Sequence, residues 1–100
     1  MELTEKQKQT IIDAGKIELP IRHLAILLDV PESWLKLHFH NENSEIFKLY
    51  DKSRIETNNS IIQALTEKAK NGDKAAVKAR TEFIDRVNFK ESKDKLLKGN

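Results

Sequence analysis

An all-α protein is what this sequence predicts: a head of short helices, then a long helix and a C-terminal helical hairpin. Three observations carry that expectation. Three glycines and two prolines in 100 residues provide too few tight turns for a sandwich or barrel. Apolar residues recur at three- and four-residue steps, the period of a helix face. No glycine or proline interrupts residues 44–71, which leaves room for one long helix.

The first helix follows Thr4, whose hydroxyl can accept a free backbone N–H while Gln7 returns the bond, a capping box. Ile11 and Ile12 face inward near its end, and Gly15 is expected to stop it in a left-handed conformation. A second helix begins at Leu19-Pro20, because proline in a first turn gives up an N–H that has no partner anyway. Ile21, Leu24, Ala25 and Leu28 recur at i, i+3, i+4 and i+7 along it. Asp29-Val30-Pro31 breaks the helix, and a third starts at Pro31 with Trp34, Leu35, His38 and Phe39 on one side, ending at Asn41-Glu42-Asn43.

Two helices of this length joined by so short a turn have the geometry of a helix-turn-helix; a generic helical hairpin is the alternative. Ala25 is small where the helices must approach, Val30 plugs the turn, and Leu35 follows into the core. Aspartate stands at position 29, where the turn asks for positive φ and glycine is commoner. Aspartate tolerates that region better than most residues.

Ser44 can cap the long helix, with Glu45 complementing its dipole. Ile46, Phe47, Leu49 and Tyr50 form a first apolar patch, placed to close over the helix-turn-helix. Ile55, Asn58, Ile62, Leu65 and Ala69 then recur at steps of three and four, a seam suited to a partner helix. Asn71-Gly72-Asp73 ends this helix and caps the next, whose stripe is Ala76, Ala79, Phe83 and Val87, with Val77 and Ile84 beside it. The expected borders are a head at 1–43, a hairpin at 44–88 and a basic flexible tail at 89–100. So small a head cannot cover the seam, so Ile55, Asn58, Ile62, Leu65, Ala76 and Phe83 are expected to mediate self-association. The alternative is a hairpin folded back onto the head as one bundle.

Composition narrows the chemistry. No cysteine is present, which excludes disulfides, thiolate metal sites and cysteine nucleophiles and suits a reducing cytoplasm. The longest aliphatic run, Leu24 to Leu28, is far short of the ~20 residues that span a bilayer, and the first 20 residues lack a signal-peptide pattern. No membrane contact is therefore expected. His38 and His40 diverge on a helix and cannot share a metal ion. The isolated glycines form no phosphate loop. No catalytic residue, metal site or cofactor is expected.

Net charge is only +2, but residues 59–100 hold ten Lys/Arg against six Asp/Glu, whereas residues 1–42 hold five against seven. The outward positions of the second helix of the motif are Glu32, Ser33, Lys36, Leu37 and His40. With Arg22, the last four form the expected double-stranded DNA contact. Lys36 is the only full positive charge on that helix, so a single copy would bind weakly. Lys48, Lys52, Arg54 and the lysine-rich tail could add to it.

The run from Leu24 to Phe39, Ala-Ile-Leu-Leu-Asp-Val-Pro-Glu-Ser-Trp-Leu-Lys-Leu-His-Phe after its first leucine, resembles the helix-turn-helix of phage proteins in the terminase small subunit group. Arg54, Glu56, Asn58 and Asn59, and the stretch Ala69-Lys70-Asn71-Gly72-Asp73-Lys74-Ala75-Ala76, are similar to the later helices and Gly-Asp turn of such proteins. The resemblance covers roughly residues 20–87. It implies a non-catalytic subunit that recognises viral DNA, assembles as a homo-oligomer and presents the DNA to the terminase large subunit in the host cytoplasm. Asp29 in place of glycine, the scarcity of basic residues on the recognition helix and the short C-terminus depart from that pattern. A dimeric helix-turn-helix transcriptional regulator and a structural virion component are the other expectations.

Overall fold

A computed structural model describes residues 2–97, with side chains as far as Glu91. Five helices and no strand occur among the described residues: α1 (Glu5–Lys16), α2 (Ile21–Leu28), α3 (Glu32–Phe39), α4 (Glu45–Lys70) and α5 (Lys74–Leu97). The fold is all-α. None of these helices is long and apolar enough to cross a membrane. The chain divides into two compact units, Met1–Asn58 and Asn59–Asn100, and the division falls inside α4.

In the first unit, α1 opens with the capping box in both directions. The Gln7 N–H donates to Thr4 Oγ1 at 3.1 Å, and the Thr4 N–H donates to Gln7 Oε1 at 2.9 Å. Gly15 does not stop this helix. It lies within α1, and positive φ falls at Glu18 instead, at 51°. Gly15 is there because α4 passes over it: a Cβ at this position would collide with the Tyr50 carbonyl oxygen and stand 2.9 Å from the Ser53 Cβ. Close approach of two backbones, rather than a turn, requires the glycine.

Pro20 and Pro31 each stand at the N-cap, one position earlier than a first-turn proline, and no side chain caps either helix. Between α2 and α3, Asp29 takes the left-handed conformation at φ 57° and ψ 49°. Its N–H donates to the Ile26 carbonyl at 3.2 Å and that of Val30 to the Ala25 carbonyl at 3.0 Å, which closes the turn. Leu24, Ala25, Leu28 and Leu35 are buried with Ile11, Ala14 and Ile46, and Val30 packs against them, so α1, α2, α3 and the start of α4 share the core of a helix-turn-helix head.

The head does not end at residue 43. The first half of α4 belongs to it, because Ile46 is in the core and three polar links tie α4 to α1 and to the linker that follows it. The Tyr50 hydroxyl donates to the Leu19 carbonyl at 3.0 Å, the Ser53 hydroxyl donates to the Ile12 carbonyl at 2.5 Å, and Lys8 pairs with Glu45 at 3.5 Å. Phe39 meets Tyr50 edge-on at 4.9 Å between centroids, which joins α3 to the same patch. An apolar run that continues past a loop into the next helix extends the domain with it.

In the second unit, α4 turns into α5 through Gly72 at φ 91°, and the Asp73 carboxylate accepts from the Ala76 N–H at 3.0 Å as the N-terminal cap. Arg80 Nε donates to Thr66 Oγ1 at 2.7 Å and Ala76 is buried, so the two helices pair as the expected hairpin. The flexible tail expected at 89–100 is corrected in part: α5 continues to Leu97. No glycine or proline intervenes, and lysine, glutamate and leucine are good helix formers even without an apolar stripe. Residues 98–100 lie outside the described residues.

Candidate nucleic-acid interface

Helix α3 sorts its side chains by angle around its axis. Leu35 is fully buried, Trp34, His38 and Phe39 are half-buried, and Glu32, Ser33, Lys36, Leu37 and His40 are exposed. The inward set is fixed by its neighbours. His38 stacks on Trp34 with ring centroids 4.2 Å apart, and its Nδ1 lies 2.8 Å from the buried Ser44 hydroxyl. Ser44 holds the N-cap position of α4, accepting the Lys48 N–H on its carbonyl at 3.0 Å. His38 thus braces the start of α4 while His40 points away, the divergence expected of residues two apart.

Ser33, Lys36, Leu37 and His40 are therefore brought together on one outward face by a helix whose other face is locked into the core. Leu37 is 70% exposed, a large aliphatic side chain among polar ones. Lys36 Nζ approaches Glu32 Oε1 at 4.0 Å, with both side chains about half exposed. An exposed pair of this kind is worth little and yields readily to a competing phosphate. Arg22 and His23 are exposed on the outer face of α2, along with Ile26 and Leu27 at 65% and 63%. Ile26 and Leu27 fall outside the Ile21-Leu24-Ala25-Leu28 stripe.

The supporting cations divide. Lys48 is exposed, and Lys52 is exposed with a 3.8 Å pairing to Glu56. Arg54 is withdrawn: its Nε and Nη2 both donate to Asp51 Oδ1, one turn back on α4, at 3.2 and 2.7 Å in a half-buried pair. Among the described residues no group of three His, Cys, Asp or Glu could hold a metal ion.

Of the residues assigned to assembly, Ile55 is 44% exposed and Asn58 half-buried in the first unit. In the second unit Ile62, Leu65 and Phe83 are half-buried, and Leu65 and Phe83 line one shallow cleft with Ala79, Glu82 and Arg86. The Arg86 guanidinium lies 5.2 Å from the Phe83 ring centre. Ala76 differs: at 4% exposure it packs the hairpin itself and presents no surface to a second copy. Val77, beside the expected stripe, is 50% exposed, and Ile61 and Phe89, at 39% and 71%, are apolar surface outside the seam pattern.

The chain matches no protein-family model, no curated protein and no solved structure.

Proposed function

We propose that this protein is a non-catalytic double-stranded DNA-recognition subunit of the terminase small-subunit kind, which reads DNA with α3 and self-associates through its hairpin. The observation that carries the reading is the α3 face. A helix held against α2 by a left-handed turn at Asp29 exposes Ser33, Lys36, Leu37 and His40 together while its opposite side is core. Such a helix has the width and chemistry to enter a major groove, where hydroxyl, ammonium and imidazole groups can address base edges and phosphates. Arg22 and Lys48 add positive charge to the same unit.

One cation on the reading helix gives weak binding per copy, so the function requires several copies on one duplex. The hairpin supports that requirement, since Ala76 is the only buried hydrophobic residue among the described side chains of residues 59–91. The assembly would act in the host cytoplasm and hand the DNA to the terminase large subunit, where motor and nuclease chemistry reside. Titrating a fluorescent duplex with the full chain tests the reading. Saturable binding that weakens steeply with salt is expected; no binding at low salt refutes it.

A further inference from the structure

We infer that Leu37 is a specificity-determining residue that selects thymine by its methyl group; this rests on the proposed reading of DNA by α3. Leu37 is 70% exposed and lies outside the core cluster, so folding does not account for a large aliphatic side chain there. Its neighbours on the face are polar: Ser33 one turn before it, Lys36 beside it and His40 three residues on. On a helix, positions three and four apart have Cβ atoms about 5–6 Å apart, so these side chains address neighbouring base pairs. The major-groove edge of DNA consists of hydrogen-bond donors and acceptors with one apolar exception, the C5-methyl of thymine. An aliphatic side chain that enters that groove buries favourably against this group and strands itself against any other. Ser33 and His40 can then satisfy the polar edges on either side of the methyl.

Replacing thymine by uracil removes the methyl and keeps every donor and acceptor, which isolates the contact. A duplex enriched from a random-sequence library by the full chain is compared with its copy in which every thymine is uracil. The parent protein is expected to bind the uracil copy about fourfold more weakly for each methyl contacted. Leu37→Ala should bind both duplexes equally, and Leu37→Met, which keeps an aliphatic surface, should retain the discrimination. Unchanged helix content by circular dichroism is expected for both variants, as the position is exposed. Equal affinity of the parent for the two duplexes overturns the inference and leaves the DNA reading standing. Discrimination that survives in Leu37→Ala overturns the assignment to Leu37. Binding that enriches no sequence overturns this inference alone, and failure to bind any duplex at low salt overturns the DNA reading with it.

Discussion

Gly15 of α1 lies so close under Ser53 of α4 that a Cβ on the glycine would stand 2.9 Å from the Ser53 Cβ, with the Tyr50 carbonyl oxygen nearer still. The crossing fixes where the long helix leaves the head. Backbone cannot swing aside as a flexible side-chain end can, so the contact has no cheap relief.

Gly15→Ala should therefore destabilise the protein by about 1–3 kcal/mol. Helix propensity alone pulls the other way, since alanine is about 1 kcal/mol better than glycine inside a helix. The sign of the change in urea midpoint separates the two effects. A stabilised variant would mean that α4 does not cross α1 at this point.

Asp29 occupies the left-handed region at φ 57°. Asp29→Gly should leave stability unchanged or raise it by up to about 1 kcal/mol, whereas Asp29→Val should lower it by more than about 1 kcal/mol, because a β-branched residue is strained there. Equal stability of the two variants would rule out a left-handed turn between α2 and α3.

Much of the head was legible because its signals are local. Thr4 and Gln7 are three residues apart and cap as their spacing predicts, and the α2 stripe and the short turn place Asp29 where positive φ is needed. Gly15 is the opposite case. A glycine near a helix end resembles a stop signal, and the cause of its presence lies 38 residues away at Ser53. The Ser53–Ile12 and Tyr50–Leu19 links are equally remote in sequence, and they carry the head past residue 43 to Asn58. The helix beyond Asn88 has propensity without an apolar stripe, so periodicity does not announce it. On α3 the helical period alone separated outward Ser33, Lys36, Leu37 and His40 from inward Leu35. The withdrawal of Arg54 onto Asp51 needed the side-chain geometry.

Burial pushes the Tyr50 phenol above its usual 10.0, with the Glu18 carboxylate adding to the rise, the Arg54 guanidinium offsetting it and Asp51 contributing least. As pH climbs past 10, the unfolded phenol ionises first. The stability this group contributes is thus intact below pH 10 and is lost as pH rises through the higher folded value. Tyr50→Phe should lose about 1 kcal/mol near neutrality with the bond to the Leu19 carbonyl. It should also fall less than the parent between about pH 8 and about pH 11. Urea midpoints at those two values check the difference; parallel losses would place Tyr50 in open solvent.

Lys36 is the single full positive charge on the outward face of α3. Lys36→Gln should weaken duplex binding and reduce the slope of log affinity against log salt by about 0.9 for each bound subunit. Its pairing with Glu32 spans 4.0 Å on an exposed surface, so folding stability should be unaffected. An unchanged slope would remove Lys36 from the phosphate contacts.

Native mass spectrometry of the full chain, with and without a duplex, tests the central claim most directly. At concentrations on the order of tens of micromolar the parent should be a homo-oligomer that takes up duplex as an intact assembly. Ile62→Asp with Leu65→Asp, which would bury charge without a partner, should give a smaller species with a folded head and reduced affinity. A dimer confined to palindromic duplexes would favour a transcriptional regulator. A monomeric parent that leaves the duplex unbound would contradict the account.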